Sequence, residues 1–395
     1  MSYQILNERT VSDYLESKPD LLRASGIDPT HLTVTEVSDG NLNQVFICRD
    51  DAGQSLCIKQ ALPYLRVAGE SWPLKPERAA AEARSFAVGA ELSPDSTPGY
   101  LGFDAENFVL AMQDLSDWTV WRTALMHGEI HQGAEADCGR HAARMAVGTS
   151  LFGIDPEVLK NQHAASMNGE LCRITEDLVF TEPFMVHERN SFHDGVADAV
   201  AALRHNEALL AQVSMLKLDF MTRAEALIHG DLHTGSVMVR HDTGSTDKGH
   251  AKVFDGEFCF YGPIGFDLGA LFGNYLAAAE RAAVLDRPTE FRAWVRSLPA
   301  ATWEAFESEV RLLWPTRVDD SFGDDFLDLW LDRIKADAIG YGGCKAIRRI
   351  VGFAKVADIE ELPEPQHVTA ANQVLTTATE WILDRENRTP AELLG

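Results

Sequence analysis

The chain has 395 residues, 45% of them apolar, with a formal net charge of −25 and a pI near 4.8. That length fits two or three domains or one two-lobed enzyme, and the apolar share suffices for a packed core. The acidic balance argues against a nucleic-acid backbone or an anionic membrane as partner; it leaves a nucleotide open, because magnesium and a few local cations can neutralise a triphosphate.

The first residues, 1–9, lack a basic start followed by an apolar core, so no signal peptide is expected. No run approaches the ~20 apolar residues of a membrane span. Cys48, Cys57, Cys138, Cys172, Cys259 and Cys344 form no C-x-x-C pair, and the expectation is reduced thiols in a cytoplasmic protein.

Val11, Tyr14, Leu15, Leu21 and Leu22 predict a short helix over residues 10–22, with Ser12 as N-cap and Pro19 ending or kinking it. Residues 31–37, 44–49 and 55–60 are apolar-rich or alternating runs separated by turn signals, which predicts three antiparallel strands. The first turn carries Gly40, Asn41 and Asn43. It lacks the G-x-G-x-x-G spacing of a phosphate loop, so taken alone an ordinary hairpin turn is the simpler reading. Lys59 falls mid-strand, either as a solvated sheet lysine or as a cation for phosphates held by a downstream acid. The helix expected over residues 76–89 supplies that acid in Glu82, with Ala79, Ala83, Phe86 and Ala87 on its apolar face. Residues 69–76 hold two prolines and Trp72 and are expected as a loop, the tryptophan being a packing plug or a ligand platform.

Residues 108–112 form a further apolar strand and run into Gln113, Asp114, Leu115 and Ser116, where a two-lobed protein could hinge. Helical spacing follows at 136–152 and 198–218, while 153–190 shows no clear pattern. The stretch 227–257 organises the chain. Val237–Val239 and residues 251–254 flank a polar segment and predict a β-hairpin. Antiparallel strands return the chain to its start, so Asp231, before the hairpin, should meet Asp255 and Glu257, after it. Such a carboxylate cluster can hold magnesium and take a proton from a hydroxyl.

Beyond the hairpin, Asp267 opens a helix expected to run to about Leu285, as its N-cap or as a brace for the loop before the hairpin, capping being the simpler assignment. Leu327, Trp330, Leu331, Ile334 and Ala338 make an amphipathic helix that Gly340, Gly342 and Gly343 interrupt. A second helix follows, with Arg348 and Arg349 off its apolar face as surface charge or an anion site. Residues 373–383 predict one more helix, with a polar tail beyond.

Three chemistries compete for the central stretch. Phosphoryl transfer needs one carboxylate at the acceptor hydroxyl and others on magnesium; Asp231 and Asp255 suit these places, with Ser236 five residues after Asp231 as a second metal-side ligand. A zinc hydrolase would use His229, Asp231 and His233, which share one face if they lie on a strand; Gly230 and Gly235 argue instead for a loop. A silent nucleotide-binding or scaffold protein is the third.

The run from His229 to Ser236, His-Gly-Asp-Leu-His-Thr-Gly-Ser, resembles the catalytic loop of the aminoglycoside-phosphotransferase and choline-kinase group, whose fold is that of protein kinases. Together with Asp255-Gly256-Glu257-Phe258 and the run from Phe260 to Asp267, it resembles the methylthioribose kinases of that group. The likeness extends to Asp39-Gly40-Asn41-Leu42-Asn43, Ile58-Lys59-Gln60, Glu70-Ser71-Trp72-Pro73-Leu74 and Arg348-Arg349, and so touches most of the chain. It implies an α+β, two-lobed protein-kinase-like fold: a small antiparallel-sheet lobe over residues 1–112, a hinge at 113–116 and a larger, mainly helical lobe over 117–395.

It also implies a reaction in which ATP, with magnesium, phosphorylates the 1-hydroxyl of 5-methylthioribose for methionine salvage, in a homodimer. Asp231 is then the catalytic acid-base group, Asp255 binds the metal with Glu257 beside it, and Lys59 contacts phosphates with Glu82 as partner. Gly40, Asn41 and Asn43 cover the nucleotide, Gly256 lies in the same metal loop, and Gln113, Asp114 and Leu115 offer backbone groups to adenine. Trp72 covers the substrate, and His233, Arg348 and Arg349 lie on the sugar side. Ser236 stands where most of the superfamily has asparagine, and Asp255-Gly256-Glu257 replaces Asp-Phe-Gly; both departures resemble methylthioribose kinases. The sibling alternatives are kinases of choline, homoserine, an aminoglycoside or another sugar. Choline calls for an aromatic and acidic cage and an aminoglycoside for an acidic cleft; the arginine pair and Trp72 suit a neutral thioether sugar better.

Overall fold

A computed structural model describes residues 3–37, 43–65, 69–241 and 250–395, without the side chains of residues 65 and 69–72. Gly40 and Asn41 lie outside the described residues, as does the side chain of Trp72. The first part of the chain holds helices α1 (Val11–Glu16), α2 (Pro19–Ser25) and α3 (Arg78–Leu92). Its strands are β1 (Leu32–Val37), β2 (Asn43–Asp50), β3 (Ser55–Ala61), β4 (Tyr64–Leu65), β5 (Gly69–Pro73), β6 (Tyr100–Asp104) and β7 (Val109–Gln113). Then come β8 (Thr119–Val120), α4 (Trp121–His127), α5 (Ala134–Thr149), α6 (Pro156–Ala165), α7 (Gly169–Phe180), α8 (Ala197–His205) and α9 (Glu207–Thr222). The centre is β9 (Ala226–Ile228), β10 (Val237–Val239), β11 (Ala251–Val253) and β12 (Phe260–Gly262). The rest is helical: α10 (Gly265–Val284), α11 (Thr289–Leu313), α12 (Asp324–Val351), α13 (Ala357–Glu360) and α14 (Glu364–Leu383).

The five-stranded antiparallel sheet has the order β1-β2-β3-β7-β6. Side chains alternate across it with period two. On β3, Leu56 and Ile58 join Val11, Leu15 and Leu21 of α1 and α2 in one apolar cluster. Cys57 points the other way, into a cluster with Ala83 and Phe86 of α3. Lys59 shares the Cys57 face and is therefore delivered to α3. The three strands expected early in the sequence are thus present, as is the helix that carries Glu82. Ala87, expected on its apolar face, is exposed.

Several expectations are corrected. The helix over 10–22 is two helices, because the residue before a proline resists α geometry and Lys18 turns out at ψ 70°; Ser12 caps neither of them, Thr10 preceding α1. The loop expected around Trp72 is strand β5, paired with β4. The helix over 198–218 breaks at Asn206, whose side chain caps α9 by accepting from the Leu209 N–H at 3.0 Å. Residues 153–190 contain α6 and α7. The polar tail ends in Leu393 and Leu394, both buried in the main core.

The largest correction concerns α12, which runs unbroken through Gly340, Gly342 and Gly343. Those glycines permit close helix packing. A Cβ on Gly269 of α10 would lie 2.6 Å from the Ala338 carbonyl and 2.7 Å from the Gly342 nitrogen, and one on Gly343 would lie 2.6 Å from the Ala378 carbonyl of α14. Helices α10, α12 and α14 form the centre of the main core with Phe266, Phe272, Tyr341 and Trp381. Residues 345–349 are thereby carried on a rigid buried rod.

Candidate active site

Strands β10 and β11 pair antiparallel with Val237 opposite Val253, so the loops before β10 and after β11 emerge at one end. Three bonds lock the loops. The Phe254 N–H donates to the Ser236 carbonyl at 3.0 Å, and His229 Nε2 donates to the Phe254 carbonyl at 2.8 Å, leaving Nδ1 to accept from the Asp231 N–H at 3.3 Å. Asp267 accepts from the His229 and Gly230 N–H groups at 2.7 and 2.9 Å. Asp267 is thus the brace of this loop; it lies inside α10, which starts at Gly265, and does not cap it. Gly230 has φ +79°, and a Cβ there would meet the Phe258 carbonyl at 2.3 Å, so the loop requires glycine.

Asp231 projects into a buried cluster of charge. One carboxylate oxygen is paired with Lys345 Nζ and lies 3.7 Å from Arg348; the other lies 3.3 Å from His233 Nε2. Burial opposes the charge on Asp231, but the Lys345 charge, the hydrogen bond from His233 and the Arg348 charge outweigh it and hold the carboxyl well below the usual carboxylate range. Burial pushes His233 down to about 3, so its imidazole is neutral. Ser236 Oγ sits 3.2 Å from the Asp231 carbonyl and 3.1 Å from His233 Nδ1, inside the loop's own hydrogen-bond network. Arg122 of α4 completes the cluster, 2.9 Å from Asn274 and 3.4 Å from Asp358. Arg349 donates to the carbonyls of Ala354 and Lys355. Arg122, Lys345, Arg348 and Arg349 therefore face two carboxylates, Asp231 and Asp358, and the excess positive charge suits an anion.

Asp255 sits at φ +66°, a strained conformation for a non-glycine residue. Its carboxylate is partly exposed and paired with Lys59, whose ammonium also reaches Glu82 at 2.7 Å. The expected Lys59–Glu82 pair is present. Burial opposes the Lys59 charge, but Asp255, Glu82 and Glu257 outweigh it and keep the ammonium protonated. Asp255 titrates low for the converse reason: burial raises it and Lys59 lowers it further. Glu257 is buried; Oε2 accepts from Asn43 Nδ2 at 3.0 Å and Arg78 Nε at 3.3 Å, while Oε1 has no hydrogen-bond partner among the described residues. Burial, then Asp255, raises its pKa. A partly exposed carboxylate beside a buried unpartnered carboxylate oxygen is a hard-oxygen donor set of the kind magnesium takes.

The Phosphotransferase enzyme family matches residues 33–300. The methylthioribose kinase of Geobacillus kaustophilus is 38% identical over 369 residues, covering 92% of this chain and 90% of that protein. The methylthioribose kinase of Yersinia enterocolitica is 39% identical, covering 86% and 85%. The chain belongs to the methylthioribose kinase family. The solved choline kinase of Cryptosporidium parvum covers 95% of both chains at a TM-score of 0.48 and 10% identity. As a member of the family the chain is a small-molecule kinase with the protein-kinase-like fold.

Of the residues expected at a kinase site, the structure brings together Asp231, His233, Ser236, Arg348 and Arg349 in one group, and Asn43, Lys59, Glu82, Asp255, Gly256 and Glu257 in an adjoining one. Gln113 ends β7 with its side chain on the Gly99 N–H, Asp114 pairs with Arg49, and Leu115 is buried with its carbonyl on the Trp118 N–H. His229, Asp231 and His233 follow the end of β9 on a loop, which removes the strand on which the zinc reading depended. Lys345, Arg122 and Arg78 were not anticipated. Lys345, Arg348 and Arg349 lie at i, i+3 and i+4, the spacing of one helical face, a signal hidden by the assumed glycine break.

Proposed function

We infer that this chain transfers the γ-phosphoryl group of ATP to the 1-hydroxyl of 5-methylthioribose, giving 5-methylthioribose 1-phosphate, a step of methionine salvage. The observation that carries the mechanism is the ionised Asp231 set among an excess of buried cations, beside the Lys59–Asp255–Glu257 group. In this reading the sugar hydroxyl lies at Asp231, which takes its proton as the new O–P bond forms and the bond to the β-phosphate oxygen breaks, releasing ADP. Arg348, Arg349 and Arg122 offset the negative charge moving toward the sugar, and His233, neutral, orients Asp231. Lys59, held by Glu82, contacts the phosphates of ATP. Asp255 and Glu257 would hold magnesium, with Ser236 as a further candidate ligand; bound there, the ion neutralises charge on the β- and γ-phosphate oxygens. Gln113, Asp114 and Leu115 would meet adenine through their backbone, Gly40, Asn41 and Asn43 would cover the nucleotide, and Trp72 would cover the sugar.

The test is ADP release with methylthioribose against ribose, choline and homoserine. Methylthioribose should be turned over with by far the highest kcat/KM; a comparable rate on any of the others, or nucleotide binding without turnover on all, overturns the assignment. We further propose a cytoplasmic homodimer, expected to give a light-scattering mass of twice 43.6 kDa. Among the described residues no helix is long and apolar enough to cross a membrane.

A further inference from the structure

Four of the chain's 13 histidines gather at the end of the β10–β11 hairpin remote from Asp231 and Asp255. His127 closes α4, His131 lies between α4 and α5, His241 follows β10, and His250 precedes β11. The imidazole of His250 lies against Gly133, so the α4–α5 connection wraps this corner. The His131 ring is buried and stacks on that of exposed His241, with centroids 4.1 Å apart and 19° between the planes. Glu129 reaches His131 Nε2 at 3.5 Å with one oxygen and His127 Nδ1 at 3.8 Å with the other. One ligand atom from each of Glu129, His131 and His241 lies within 4.8 Å of the other two.

We propose that Glu129, His131 and His241 bind a zinc ion, separate from the magnesium-type carboxylates of the active site. Two imidazoles and one carboxylate form a borderline donor set that suits zinc, whereas magnesium and calcium take oxygen ligands. The stacked rings are nearly parallel, so coordination turns the exposed His241 ring about its Cβ–Cγ bond until both nitrogens face one centre. Solvent takes the fourth position. The ion would tie the α4–α5 connection to the outer end of β10, whose inner end follows Ser236 of the catalytic loop, and so stabilise the hairpin that supports the site.

The test uses the untagged full chain without nucleotide. Zinc should raise the melting temperature by a few degrees at saturation, and cobalt should give one visible-absorbing tetrahedral centre per chain. Both signals should be lost in His241→Ala and weakened at least tenfold in apparent affinity in Glu129→Gln, while kinase turnover of His241→Ala without zinc stays at the unsubstituted level. The inference is overturned if His241→Ala keeps the full shift, if the shift disappears instead in Asp255→Asn, or if binding is no tighter than millimolar.

Discussion

Asp231 and Lys345 are one unit at the residue scale. Replacing Asp231 with Asn should leave ATP affinity nearly unchanged and lower kcat by the ~10²–10⁴ of a lost acid-base group; near-normal turnover would remove Asp231 from that role. Lys345 is a positioning residue whose test is a pH profile. Burial pushes its pKa down to about 8, with Asp231 opposing and Arg348 and Arg349 adding to the effect. Below that pH the lysine is charged and holds Asp231 in place; as pH rises through it, the cation beside Asp231 is lost and kcat/KM should fall. In Lys345→Arg the guanidinium stays protonated, so that basic limb should move to higher pH. An unmoved limb assigns it to another group.

The decisive element is the α10–α12 pair. A Cβ at Gly269 meets backbone at 2.6 Å, whereas one at Gly342 meets its nearest atom at 3.1 Å. Backbone cannot swing aside, so Gly269→Ala should cost about 1–3 kcal/mol and Gly342→Ala clearly less, read from urea midpoints. Because α12 carries Lys345, Arg348 and Arg349, Gly269→Ala should also raise the KM for the sugar more than that for ATP. Equal midpoints for the two variants would mean that the helices can separate freely. The hairpin was legible because turn residues and short apolar runs are local signals. The unbroken α12 was not, since glycine reads as a helix breaker until a second helix is seen pressed against it.

Across the whole molecule, the bonds from the sheet and α3 to the loop after β11 join residues far apart in the chain: Lys59 with Asp255, and Asn43 and Arg78 with Glu257. In the proposed function a nucleotide with magnesium binds between them, and a ligand that binds only the folded state stabilises it. ATP with magnesium should therefore raise the melting temperature of the unsubstituted chain, and Asp255→Ala should abolish both the magnesium-dependent part of that rise and turnover. A full magnesium-dependent rise in Asp255→Ala would place the metal elsewhere.

The order of the chain's own signals determined the chemistry: strands that deliver Lys59, a hairpin that returns Asp255 to Asp231, and motif residues specific enough to name a family. Each depends on periodicity or on spacing within a few tens of residues, which a linear reading can follow. Only the tertiary structure decided that Asp267 braces the loop that holds Asp231, and that Lys345 of α12 and Arg122 of α4 converge on the Asp231 cluster. Those relations join residues more than thirty positions apart across helix faces. Burial, which turns surface-looking charges into an anion site, is a property of packing that no single segment contains.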